Sequence, residues 1–421
     1  MRLNVVQEAS ALSKYLTRNL SELRPSTTLI ISSAPYEGSA AKPGNGLIPK
    51  HQIETYHQDL NRQIQQSESI LRLEYQLPSH SYGSRTLTSS YPTIQSLTSA
   101  SEFQQRVGAT HIVGVGSGVA LDLSKALHQR MQHSSGDNQD DLRLTLVPGT
   151  LGACCASVTN QSLLLDVDEE ALIIAEDGKI GTGIRSVVVD DNVMATPSWV
   201  SGGPTNIATV SDAALASIVI ALDSLLDVDC NGEGEKWELI TKTLYHSQLV
   251  LESFLEESTN SSDKESKALT LKNSDKANAI QAMLCSGQLL SNGMENEREY
   301  AHSIRRSIPL ALSSALLPRY FPHGNWLTFT ASLLPGILQS TKMETQNLPS
   351  SEIISSGIDT VTQLLDDESL PKIIPTISSL VEGTPDPREL LNAVENNGAL
   401  WNCEDVDRVL LEHVLCKSLS H

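Results

Sequence analysis

Residues His111–Lys125 read HIVGVGSGVALDLSK, and the order of residue types in this stretch decides the class of fold. The apolar run Ile112–Val115 reads as a short buried strand. Gly116, Ser117 and Gly118 make a tight turn, and Val119–Leu127 changes to helical spacing. Strand, glycine turn and helix are the first half of a βαβ unit. The turn is where chemistry can sit. Gly116 and Gly118 carry no Cβ, so a diphosphate can approach the backbone closely. The helix behind them aims its first N–H groups and the positive end of its dipole at that anion. Asp122 and Lys125 fall one and two turns into the helix, near the same mouth. An ordinary strand–helix connection also needs glycine, so this turn alone specifies no ligand.

The pattern extends on both sides. Upstream, Asn4–Leu23 places Val5, Ala9, Leu12, Leu16 and Leu20 on one stripe, which predicts an amphipathic helix. Thr27–Ser32 and Ile70–Leu77 are expected strands, with a polar helix over Gln52–Ser67 between them and a helix over Ile94–Val107 after them. Downstream, Leu142–Val147 is a strand ending at Pro148, and Ser186–Val189 is the last clear strand. Strands alternating with helices imply a parallel α/β sheet. From Ile207 onward the spacing is helical: Ala208–Leu226, Trp237–Glu257, Asp275–Ser291, Ala301–Leu317, Leu327–Leu338, Glu352–Leu365, Leu370–Val381 and Pro387–Val394. The boundary is expected near Ser198–Pro204, giving an α/β domain over 1–200 and an all-helical domain over 201–421, with the active site in the cleft between them.

Composition narrows the function. Fifty acidic residues against thirty Lys and Arg give a formal charge of −20. That argues against nucleic acid, which needs a basic face, and against anionic membrane surfaces. An anionic ligand must then be held locally. The six cysteines, at 154, 155, 230, 285, 403 and 416, form no C-x-x-C pair. They predict a reduced intracellular protein without a zinc knuckle or redox motif. Adjacent Cys154 and Cys155 are not expected to bridge each other. No apolar run is long enough to span a membrane. The N-terminus lacks the order of a signal peptide, so cytoplasmic residence is expected, with organelle import left open.

Three further places could carry chemistry. Val147–Ala156, VPGTLGACCA, follows a strand as the first glycine turn does, and Thr150 and Gly152 offer a hydroxyl and backbone N–H groups. Two such loops on neighbouring parallel strands would share one crevice edge. Asp212 lies in VSDAALASIVIAL, early in its expected helix, where an Asp ordinarily caps the end or balances the dipole. His302 in YAHSIRR and His323 in FPHGN could join it. A carboxylate and two imidazoles suit a divalent ion with an open position for substrate.

Taken in order, these pieces resemble the iron-containing alcohol dehydrogenase superfamily, which includes glycerol dehydrogenases and maleylacetate reductases. The likeness runs from about Val5 to Leu338. It implies a dehydroquinate synthase-like fold, with a Rossmann-like parallel-sheet domain followed by an all-α domain. It also implies an NAD(P)-dependent oxidoreductase acting on a CH–OH group of a small alcohol or carbonyl substrate, in a chain able to form a homodimer. Carried over by motif, Gly116, Ser117, Gly118, Asp122 and Lys125 correspond to the family's diphosphate loop. Pro148, Thr150 and Gly152 correspond to the loop on the nicotinamide side, with one Thr lost at Gly149. Lys179 in DGKIGTG corresponds to a lysine near NAD or NADP. Asp212, His302 and His323 correspond to ligands of Fe²⁺ or Zn²⁺. No catalytic acid or base is assigned. Ala216 stands where alcohol dehydrogenases carry a further His, and alignment without an insertion puts Pro309 and Ser313 at histidine positions, which would break the metal site. Two alternatives follow. One is a sugar-phosphate cyclase of the dehydroquinate synthase type, for which Arg298, Arg305 and Arg306 are the available cations. The other is a catalytically degenerate nucleotide-binding paralogue.

Overall fold

The computed structural model of the chain describes residues 3–8, 28–32, 72–76, 92–134, 142–159, 161–165, 171–175, 184–190, 204–225, 234–259, 272–291, 307–320, 326–345, 358–359, 361–362, 375–377, 386–395 and 408–419. The chain divides into two compact units, Met1–Ser201 and Gly202–His421.

In the first unit the elements run β1 (Leu3–Glu8), β2 (Thr28–Ser32), β3 (Arg72–Gln76), α1 (Ile94–Val107), β4 (His111–Gly116), α2 (Gly118–Ser134), β5 (Arg143–Pro148), α3 (Leu151–Val158), β6 (Gln161–Leu165), β7 (Ala171–Ala175) and β8 (Ile184–Asp190). Six strands form one sheet in the order β1-β8-β5-β4-β2-β3, every pairing parallel. Ile112, Leu144, Leu146, Val187, Val188 and Val189 are fully buried. Strands covered on both faces read as continuous apolar runs, and these do. β6 and β7 form a separate antiparallel pair that the periodicity of their residues does not announce. β6 is tied to the start of α1, where the Leu165 N–H donates to the Pro92 carbonyl at 2.9 Å.

The order locates the crevice. From β2 the chain passes to β3 at one edge, and from β4 it passes to β5 on the other side. The sheet's topological switch point therefore lies between β2 and β4, and open α/β sheets bind ligands outside the carboxyl ends of the strands there. The carboxyl end of β4 is Gly116.

One expectation is corrected at the N-terminus. Leu3–Glu8 is strand, not the start of a helix, because all six residues pair with β8, Leu3 opposite Arg185 through Glu8 opposite Asp190. Val5 and Val6 suit a strand, and a sheet edge able to receive them outweighs a helical stripe. The remainder of that helix, the helix over Gln52–Ser67 and the turn joining the two domains lie outside the described residues.

The second unit is helical: α4 (Pro204–Leu225), α5 (Glu235–Thr259), α6 (Asn273–Ser291), α7 (Ile308–Tyr320), α8 (Trp326–Ser332), α9 (Leu334–Thr345), α10 (Pro387–Glu395) and α11 (Arg408–Leu419). From Val210 to Leu225 every residue of α4 is buried, as befits a helix apolar all round. It packs against α5, α6, α8 and α9. Small polar side chains inside this unit satisfy themselves on their own helices: the hydroxyls of Ser224, Thr243, Ser286 and Ser340 each donate to the carbonyl four residues back, at 2.7–3.0 Å. Asp223 accepts the Ile308 N–H at 3.3 Å and so holds the start of α7 against α4. The single helix expected over Leu327–Leu338 is two helices. Pro335 has no N–H to bond backward and its ring crowds the carbonyl four residues earlier, and the break falls at Leu333. At Gly336, α9 lies directly against the backbone of Val414 in α11.

Candidate functional site

The first turn is built by backbone. Gly116 has φ 120°, a conformation that side chains disfavour. The Ser117 carbonyl accepts the N–H groups of Ala120 at 3.1 Å and Leu121 at 3.2 Å, which starts α2 immediately behind the turn. The N–H groups ahead of that first bond have no partner within a helix and point out of its end. A methyl built on Gly118 meets only the Cβ of Ala156, at 4.0 Å, so the space in front of it is open. Further back the packing is tight. A Cβ on Gly114 would lie 2.5 Å from the Ser124 hydroxyl, so β4 and α2 need glycine there.

The second turn lies against the first. β4 and β5 are neighbours, with Gly116 opposite Pro148. The Gly149 N–H donates to the Gly116 carbonyl at 2.7 Å. A Cβ on Gly149 would stand 3.0 Å from Gly116 Cα, so this position, where the family pattern has Thr, is held by a backbone-to-backbone contact. Thr150 follows in extended conformation, and its Oγ1 accepts the Ala153 N–H at 3.2 Å as the N-cap of α3. Thr150 is exposed and Gly152 half-buried in the first turn of α3. Two helix N-termini thus stand side by side on adjacent strands. An N-terminus with its outward N–H groups and positive dipole end is a ready anion site. The residues present fit a nucleotide diphosphate.

Lys125 is placed differently from a residue at the mouth. It is fully buried, with its ammonium 2.8 Å from Asp122 Oδ1. It also donates to the Ala156 carbonyl at 2.9 Å and the Thr159 carbonyl at 3.4 Å. Cys154 and Cys155 lie on the inner side of α3, buried, and neither is in a disulfide. Burial pushes both thiols up, Cys155 to about 12. A raised pKa disfavours the reactive thiolate of each.

Asp212 lies in the second unit. Because α4 begins at Pro204, Asp212 sits in the third turn and not the first, so the capping reading falls. It is 9% exposed, and its Oδ2 accepts the Thr328 hydroxyl of α8 at 2.6 Å. Burial raises its pKa and the Thr328 hydrogen bond pulls it partly back. Ala216, one turn on, is fully buried. On α7, Pro309 and Ser313 are also buried, and Ser313 accepts the indole N–H of Trp326 at 3.2 Å. Among the described residues no three His, Cys, Asp or Glu side chains come together as a metal would need. Lys179, His302, His323 and the three arginines Arg298, Arg305 and Arg306 lie outside the described residues.

Two parts of this geometry go beyond what the sequence motifs express. That α3 follows the second turn is not read from LGACCASV, and Thr150 as an N-cap residue type is only a local hint of it. Thr328 gives no signal at all, since nothing local marks a threonine as the partner of a carboxylate 116 residues away.

No family model matches the sequence, and no curated protein sequence matches it. Solved structures do. Maleylacetate reductase from Agrobacterium tumefaciens is 14% identical, with a TM-score of 0.63, over 99% of this chain and 97% of that one. An iron-containing alcohol dehydrogenase from Thermotoga maritima is 13% identical, with a TM-score of 0.63, over 100% and 99%. One from Thermococcus thioreducens is 12% identical, with a TM-score of 0.62, over 100% and 98%. At this identity the likeness is one of fold: a Rossmann-like α/β half followed by an all-helical half, as the motif order implied.

Proposed function

We propose that this chain is an NAD(P)-dependent oxidoreductase acting on the CH–OH group of a small alcohol, or on the corresponding carbonyl. The observation that supports this best is the pairing of two glycine turns, each opening a helix, on adjacent strands of a parallel sheet, the first of them bordering its switch point. Gly116, Ser117 and Gly118 would hold the diphosphate on the N-terminus of α2. Pro148, Thr150 and Gly152 would face the nicotinamide half, with Lys179 near it. Bound there, the cofactor would exchange a hydride with the carbinol carbon. The proteins of like fold are, by name, reductases and alcohol dehydrogenases, which is the same chemistry.

The metal is the separable part of the reading. Asp212, His302 and His323 would hold Fe²⁺ or Zn²⁺, which would polarise the substrate oxygen. The Thr328 hydroxyl on Asp212 Oδ2 would help to orient that carboxylate. Ala216, fully buried where the family pattern carries a further His, favours a second reading: a nucleotide-binding chain that holds no metal.

Titration of the purified protein with NADH and NADPH by fluorescence, together with elemental analysis, tests both. Binding of either nucleotide, lost in Gly118→Val, is expected. No response to either at millimolar concentration ends the oxidoreductase reading. Binding without metal, in protein that does not take up Fe²⁺ or Zn²⁺, leaves the second.

A further inference from the structure

We propose that Lys125 is a positioning residue that mounts α3 so that the second turn faces the first, and that it does not touch the nucleotide. The ligand part rests on the nucleotide reading above; the mounting does not.

The geometry is that of a two-point mount. α3 has eight residues, a length of about 12 Å at 1.5 Å per residue. Its front is fixed by the Gly149 N–H on the Gly116 carbonyl at 2.7 Å. Its rear is fixed by Lys125, which donates to Ala156, in the last turn, and to Thr159, the C-cap residue. A cation at a helix C-terminus meets the negative end of the dipole and carbonyls that have no partner within the helix. An ammonium has three N–H donors, and Asp122, Ala156 and Thr159 supply three acceptors. Nothing of Lys125 is exposed, so reaching a diphosphate would mean breaking these bonds, the one to Asp122 included. Asp122 plays the complementary part and balances a charge that burial would otherwise make costly. Cut at the rear, α3 would swing about its front contact, and Thr150 and Gly152 would lose their place beside Gly118.

Two measurements test this. The first uses the wild-type protein. Lysines are reductively methylated with and without NADH and read by mass spectrometry. Lys125 is expected to stay unmodified in both samples. Modification in the free protein with protection by NADH would make it a direct ligand and overturn the proposal. The second uses Lys125→Met, near in shape and without the charge. Cys154 and Cys155 sit on α3 with exposures of 0% and 2% and report its seating. Their alkylation by iodoacetamide should accelerate at least about tenfold in the variant, with the circular dichroism spectrum kept. Protection equal to wild type would refute the mount. NADH, which reaches both turns, should weaken by about tenfold or more, the scale of one lost charge-assisted hydrogen bond. ADP, held at the first turn, should change little. Equal weakening of both would again assign Lys125 to the diphosphate. If wild type binds no nucleotide, the functional reading fails while the alkylation result still decides the mount. Should Lys125→Met not fold, the methylation experiment stands alone.

Discussion

His111 should make the sheet of the first unit sensitive to mild acid. It opens β4, is 3% exposed, and its Nε2 lies 3.0 Å from the Thr145 hydroxyl on β5. Its Nδ1 has no hydrogen-bond partner among the described residues. Burial first, then the nearby charges of Arg143 and His128, lower its pKa from 6.5 to about 4. The unfolded chain takes up this proton near pH 6.5, whereas the folded chain resists it down to about 4. Between those values the unfolded state holds more protons, so acidification favours unfolding. At 1.36 kcal/mol per pKa unit the whole shift is about 3 kcal/mol. Between pH 7 and pH 5 roughly 2 kcal/mol of it is lost, or about thirtyfold in the equilibrium constant for opening. Hydrogen exchange on peptides covering His111–Gly116 and Arg143–Pro148, corrected for intrinsic rates, measures that loss in the strands concerned. His111→Gln keeps an amide for Thr145 and cannot titrate. Wild type should lose protection from pH 7 to pH 5 by about thirtyfold more than the variant does. Equal losses in the two proteins would show that His111 is not held neutral by burial, and the reasoning would be wrong.

Two other outcomes are expected. A methyl on Gly336 would run into the Val414 backbone carbonyl and the Ser418 hydroxyl, so Gly336→Ala should lower the free energy of unfolding of the helical unit by about 1–3 kcal/mol; an unchanged urea midpoint would contradict the close packing of α9 on α11. Thiol counting on denatured, unreduced protein should recover both Cys154 and Cys155, and recovery of neither, with an intact mass two hydrogen atoms lighter, would show a bridge that buried, unpaired thiols do not make.

The parts legible in the sequence are those where local signals and the tertiary fold agree. In Ile112–Lys125 the apolar run, the glycines and the helical spacing all point one way, and β4, the turn and α2 follow. The parts that are not legible depend on distant partners. The residues of β1 suggest helix because their pairing with β8 cannot be seen from their own spacing. LGACCASV has no polar face to set a period, so α3 looks like loop although it is a buried helix. The helical spacing puts the start of α4 at Ala208, whereas it begins at Pro204, a residue type that favours the first helical position; that extra turn carries Asp212 off the end, against the expectation of an early Asp. At the site, the glycine turns can be read from sequence because they are backbone features. The bonds of Lys125 and of Asp212 cannot, since a motif gives residue types and spacing but not burial.

The pairing of β1 with β8 also sets a schedule for synthesis. Leu3 lies opposite Arg185, so β1 waits for a partner made roughly 180 residues later. At ~5–20 residues per second the wait is on the order of 10–40 s. Through that interval the nascent chain carries an unmatched strand, and once β5 is made the sheet has a bare edge there until β8 arrives, open to any extended segment nearby. Ribosome pausing before β8 would lengthen the exposure. Slow translation between β5 and β8 would thus cost this chain in a way that the finished fold does not display.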